Sequence, residues 1–313
     1  MSRLIFVPQF PANMRYQQWW ASEFPKEFRK HYDEVVVLGE KWLSQEKANS
    51  FSELFKGMFS PIDISIQFET VQIMEYLSLK LLAEDVLFLA DLSFPGFFAN
   101  VLYHKHPKKC FAFCHASSKN NYDYFQPVRD SKWQVECGHA KLFDTIFVGS
   151  HYHKKKLGLY NVIVSGVPKP PFQTYKEEKI HDIISVSRPN IQKVNKKFEK
   201  KIERNFGKIV REDCKTWDQY YKFLSNAKVV LFSGKEDTFS YSILESVMNN
   251  SIPIAPNKFS YPELLQKEYL YNNLEEAQQL IWHYLKRPEE VPKIQCMDLV
   301  DNFYKNVVDV MKE

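Results

Sequence analysis

Glycine is scarce in this chain, at 9 of 313 residues. Neither Gly-x-Gly-x-x-Gly nor Gly-x4-Gly-Lys-Ser/Thr occurs. Both patterns use glycine to bring backbone close to phosphate, so their absence argues against ordinary dinucleotide enzymes and P-loop phosphotransferases. No apolar run approaches the roughly 18 to 20 residues of a membrane span, and the start Met1-Ser-Arg-Leu-Ile-Phe-Val lacks a signal-peptide layout. The expectation is a soluble, cytoplasmic protein without membrane insertion. Five cysteines, an odd number without paired spacing, fit reduced thiols better than a disulfide framework. Lys+Arg 42 against Asp+Glu 38 gives +4, too mild to demand a nucleic-acid partner.

What is present is a rhythm. Apolar strand-like runs at 4–7, 34–38, 86–90, 110–114, 145–148 and 162–165, then 183–186, 229–232 and 252–255, alternate with amphipathic segments. That alternation specifies an α/β fold with parallel sheets, and the number of strands suggests two. Residues 167–171 read Val-Pro-Lys-Pro-Pro, and three prolines in four positions cannot continue a helix or a central strand. The boundary is therefore expected near residue 172, giving domains 1–171 and 172–296, with a helical stretch from 297 to the end.

The most informative segment is 237–245. The apolar run 229–232 before it reads as a buried strand and 242–248 as a helix, so Asp237 stands where strand becomes helix. Ligands bind there in open parallel sheets. Glu245 lies about two turns further on, a reach suited to the hydroxyls of a bound ribose. The strand-like run 181–187 ends at Ser187 and is followed by Arg188 and Lys193, five residues apart. A guanidinium fork and an ammonium at a strand end can converge on a diphosphate. Cations for phosphate and a carboxylate for ribose describe a nucleotide-sugar site. Taken alone, the two acids also read as one exposed acid and one helix-facing acid that aid solubility.

Asp237 to Glu245, preceded by Arg188 and Lys193 and followed by Ile252-Pro-Ile-Ala-Pro and Tyr261-Pro-Glu263, resembles the carboxyl-terminal domain of retaining GT-B glycosyltransferases of the glycogen-synthase-like superfamily. Segment 231–271 is most similar to the tRNA-queuosine mannosyltransferase branch. The family pattern has two glutamates eight apart around a Gly-Phe-Gly-like turn; here Asp237 replaces the first glutamate and Ser240 the second glycine. Glu236 is an alternative first acid at spacing nine. The resemblance implies two Rossmann-like domains facing across a cleft, a carboxyl-terminal helix crossing back to the first, and a UDP- or GDP-linked donor. It also implies retention of configuration and no cofactor. No Asp-x-Asp pair occurs, which weakens the case for a metal-dependent glycosyltransferase. In the implied site Ser187, Arg188 and Lys193 hold the diphosphate, Asp237, Thr238, Phe239 and Ser240 the sugar, and Glu245 the ribose. His115, at the end of the strand 110–114, takes the place of a histidine that relatives put near sugar and acceptor; its plain alternative is a hydrogen-bonded loop histidine.

On the acceptor side, Asp91 ends the strand before it, as acceptor ligand or helix N-cap. His151 and Lys154 belong to the basic cluster 151–156 after the strand 145–148, on the cleft side, whereas the cluster 104–109 precedes a strand and belongs at the opposite rim. The helix after Lys193 sets Val194, Phe198, Ile202 and Phe206 as a core stripe against an outer face of Lys196, Lys197, Lys200, Lys201, Arg204 and Lys208. That face reads as solvated, with nucleic-acid contact as the second reading. Trp19 and Trp20 read as helix-to-sheet packing or as stacking platforms. Cys110, Cys114, His115, Cys137 and His139 lack the Cys-x2-Cys units of a zinc site, and no metal is assigned. The favoured acceptor is a modified base in tRNA or in DNA, the latter because the Lys/Asn/aromatic-rich texture is similar to that of large-phage proteins. The alternatives are a polysaccharide or small-molecule acceptor, and a noncatalytic binding protein of the same fold.

Overall fold

The computed structural model describes residues 2–44, 61–122, 125–187 and 194–313. Two parallel sheets organise them. The first has the order β2-β1-β3-β4-β5-β6, with β1 Arg3–Val7, β2 Glu34–Val37, β3 Val86–Leu89, β4 Lys109–Phe113, β5 Thr145–Val148 and β6 Val162–Val164. The second has the order β10-β9-β8-β7, with β7 His181–Ile184, β8 Ala227–Leu231, β9 Ile252–Pro256 and β10 Leu270–Tyr271. All pairings are parallel, in register such as Ile5 with Leu87 and Val229 with Ile252. The α/β expectation is borne out. Its physical basis is visible in β1 and β3, where every residue is buried, since parallel strands covered on both faces must be apolar throughout. The two-residue β10 is too short to announce itself in the sequence.

Helices α1 Tyr16–Phe28, α2 Pro61–Ser78, α3 Arg129–Ala140 and α4 His151–Leu157 belong to the first sheet. Around the second lie α5 Lys196–Phe206, α6 Trp217–Ser225, α7 Tyr241–Met248 and α8 Leu274–Leu285. The last stretch is not one helix: Met297–Asp301 ends at Asn302, and α9 follows over Phe303–Lys312. One face of the first sheet is covered by aromatics. Phe6 stacks on Phe24 at 5.7 Å, and Phe303 of α9 meets Phe24 at 5.6 Å and Phe113 at 6.1 Å. Such pairs contribute about 0.5–1.5 kcal/mol each beyond area burial, so α9 is held firmly against the amino-terminal sheet. The other face buries Ile5, Leu87 and Cys110 beneath Tyr76 of α2 and Ala140 of α3.

The cluster 104–109 does lie at the far rim. Lys105 donates to the terminal carbonyls of α2 at Tyr76 (3.1 Å) and Leu77 (3.0 Å), satisfying acceptors that a helix end leaves open. Both tryptophans of α1 are buried in the core. Among the described residues no helix is long and apolar enough to cross a membrane.

Candidate functional site at the facing strand ends

In the first sheet β1 has β2 on one side and β3 on the other, so the strand order reverses beside β1 and a crevice opens at the carboxyl ends. Gln9 follows β1 and Asp91 follows β3. They meet there, with the Gln9 amide donating to Asp91 Oδ2 at 2.6 Å and the Ser93 N–H to Oδ1 at 3.1 Å. Burial pushes the Asp91 carboxyl up to about 8, against the opposing pull of those donors and the His115 N–H. His115 follows β4. Its ring lies 4.1 Å from that of Tyr16, and its carbonyl accepts from the Thr238 hydroxyl at 2.8 Å.

That last bond joins the two sheets. The segment after β8 is docked on the ends of β4 and β5: the Ser150 hydroxyl donates to the Thr238 carbonyl. Gly149 makes room for the Phe239 side chain, because a Cβ there would sit 2.9 Å from Cβ of Phe239. Thr238, Phe239 and Ser240 are all buried. Ser240 occupies the N-cap position of α7 without a side-chain capping bond. Asp237 is half-buried, and its carboxylate is hydrogen-bonded to the Tyr261 hydroxyl. Glu245 is buried within α7, and its two oxygens accept from the Tyr220 hydroxyl at 3.0 Å and the Tyr221 hydroxyl at 3.3 Å. Burial pushes its carboxyl up to about 7. A carboxylate withdrawn from water needs donors, and the two tyrosines supply them at the place where ribose hydroxyls were expected.

Glu236 takes a different role from either acid. It is buried, pairs with the Lys156 ammonium and accepts from the Asn121 N–H at 2.6 Å. Glu263 reaches the same region and accepts from the first two N–H groups of α4, His151 at 2.7 Å and Tyr152 at 2.6 Å. Anions at a helix start are favoured by its exposed donors and its dipole. Lys156 therefore faces the second domain, while the His151 and Lys154 side chains are exposed. Ser187 is half-buried past the end of β7; Arg188 and Lys193 lie outside the described residues.

No protein-family model matches the chain. Over 130 residues, 42% of the chain, it is 25% identical to the tRNA-queuosine alpha-mannosyltransferase of Drosophila melanogaster. The matched part spans about a third of that relative, 33% of its length. Among solved structures, the lipopolysaccharide outer core galactosyltransferase WaaB superposes with a TM-score of 0.63 at 12% identity over 99% of both chains. Anabaena HepE, in complex with UDP-glucose, superposes with a TM-score of 0.60 at 9% identity over 99% of both. The fold is GT-B. The GT-B frame sets two Rossmann-like units with their strand ends facing, which is how β4 and β5 come to meet the turn 236–240 here. The phage association gains no support from these relatives.

Several residues of this GT-B cleft were not legible as site residues. Gln9 sits in a loop with no motif, and Glu263 reads in the sequence only as part of Tyr-Pro-Glu. Tyr220 and Tyr221 carried no signal, because a pair of adjacent tyrosines in a helix reads as packing until Glu245 is seen beneath them.

Proposed function

We propose that the chain is a metal-independent, retaining glycosyltransferase that moves a sugar from a nucleoside diphosphate onto a modified base of a nucleic acid, tRNA foremost. The observation that carries this reading is the strand-turn-helix with Asp237 and Glu245 eight apart, set at the end of β8 against the ends of β4 and β5. The match to a tRNA-queuosine mannosyltransferase supports the acceptor class, and the UDP-glucose bound by the neighbour HepE supports a uridine-diphosphate donor.

In this reading Arg188 and Lys193 neutralise the charge that grows on the β-phosphate as the glycosidic bond breaks. Glu245 exchanges its tyrosine donors for ribose hydroxyls, and Ser187 lies beside the phosphates. Asp237 and the backbone from Thr238 to Ser240 hold the sugar. His115 orients the sugar or the acceptor, Asp91 and Gln9 bound the acceptor side, and His151 and Lys154 stand at its rim. The departing phosphate itself takes the acceptor hydroxyl proton, so no protein nucleophile is required.

The test is a panel of labelled UDP- and GDP-sugars offered to the purified chain, first alone and then with bulk tRNA and with hydroxymethylated DNA. Slow donor hydrolysis together with nuclease-sensitive label in tRNA is the expected result. Hydrolysis without label in any nucleic acid would move the acceptor to polysaccharides or small molecules. Absence of binding or turnover with every donor would sink the glycosyltransferase reading itself.

A further inference from the structure

Helix α5 is anchored by its apolar stripe: Ile202 is fully buried and Phe198 stacks on Tyr271 with ring centroids 5.1 Å apart. Its two acids are engaged close to the helix. Glu199 accepts from Arg211 at 2.7 Å and from Ser233 at 2.8 Å, and Glu203 accepts from the Ile209 N–H at 3.2 Å. Lys196, Lys197, Lys200, Lys201, Arg204 and Lys208 are left exposed, with no ion-pair partner among the described residues. Lys196, Lys200 and Arg204 form one row, spaced about 6 Å along the axis. Five of these cations lie on the outer face of α5, with Lys208 just beyond its Gly207 cap, and without a described partner they repel each other unless an anion lies along them.

The neighbouring helix α8 adds an aromatic. Trp282 is 59% exposed, with the Lys286 ammonium 3.3 Å from its ring centroid. It borders an open groove of about 580 Å³ lined by Phe206, Glu275, Gln278, Gln279, Trp282 and His283. An indole for stacking, with the Gln278 and Gln279 amides beside it for base edges, suits an unpaired nucleobase. A membrane would want a broader apolar face, and an acidic peptide has no use for the stacking surface. The row also leads to the cleft. At the start of α5, the Asn195 N–H bonds Ser233 Oγ at 3.1 Å, just past β8, and from there the helix runs outward by about 16 Å.

We propose that the outer face of α5 and the Trp282 groove form an RNA-docking track, which binds the phosphates of a tRNA along the cation row and stacks one unpaired base on Trp282. This rests on the nucleic-acid acceptor reading above. It is tested with bulk tRNA as the probe, by titrating its binding across a salt series for the wild-type chain, for Lys196→Glu/Lys200→Glu/Arg204→Glu, and for Trp282→Ala. The triple variant should bind at least about tenfold more weakly, with the log-log salt slope reduced by about 2, three contacts at about 0.7 each for unpaired strands. Trp282→Ala should lose about tenfold at unchanged slope. Donor hydrolysis and thermal stability should stay at wild-type values in both.

Unchanged tRNA affinity in either variant, or no tRNA binding by the wild-type chain, overturns the track. Sugar transfer to tRNA separates the two readings. Transfer that persists with the same KM in the triple variant removes the track and keeps the acceptor. Binding that needs α5 without any transfer to tRNA keeps the track and removes the acceptor.

Discussion

Two basic segments of this protein look alike as strings of letters and are used in opposite ways. In α4, a seven-residue helix with three consecutive lysines, the last of the three is drawn inward. Lys156 pairs with the buried Glu236 of the other domain, and Glu263 closes the helix start. In α5 the apolar stripe already faces the core, the acids are engaged locally, and the cations stay in water. The difference is one of neighbours. A lysine whose outlook is a desolvated carboxylate becomes a fastening between domains, whereas one whose outlook is solvent stays available to a polyanion.

The sharpest break of this comparison is at the fastening. Glu236→Ala leaves the largely buried Lys156 without its partner and should cost about 3–5 kcal/mol in denaturant unfolding, as other broken buried pairs do. A loss below about 1 kcal/mol would mean that α4 is not a fastening. Arg188 and Lys193, which lie between the two basic segments in the chain, are the cations assigned to the donor. Alanine at either should reduce sugar transfer by about 2–4 kcal/mol in activation free energy, with folding unchanged. Near-normal turnover in both would return them to the solvated class.

Glu245→Gln should weaken UDP binding by about 1–3 kcal/mol in calorimetry while the fold persists. The same variant carries a pH signature. The carboxyl is raised from 4.5 to about 7 by burial, so between those values the folded state keeps a proton that the unfolded state has released. Its contribution to stability is complete below about 4.5 and is lost as pH rises towards about 7, and Glu245→Gln should flatten that decline in a series of melts. The smallest effect belongs to α5. Lys200→Glu alone should leave unfolding free energy within about 0.5 kcal/mol of wild type, because Lys200 is exposed and has no ion-pair partner among the described residues. A larger drop would show that the helix contributes more than its apolar stripe to holding the domain.

Much of the frame could be read from the letters. Strands such as 145–148 and 252–255 are apolar on both faces, and a parallel sheet covered by helices permits little else. The core stripe of α5 was legible for the same reason, since its four-residue recurrence has a single geometric meaning. The site was legible only where chemistry and spacing coincide in a short stretch, as from Asp237 to Glu245. It was illegible where partners are distant in the chain: Glu236 finds Lys156 80 residues back, and Asp91 finds Gln9 82 residues back.

The sequence by itself determined the α/β rhythm, the position of the acid pair at a strand-to-helix turn and the amphipathic character of α5, because each depends on residues within two or three turns of one another. Only the tertiary structure decided which charges are exposed and which are consumed. Burial, not residue type, raises the Asp91 and Glu245 carboxyls, and the facing of two sheets, not the order of lysines, turns Lys156 inward while the row on α5 remains in solvent.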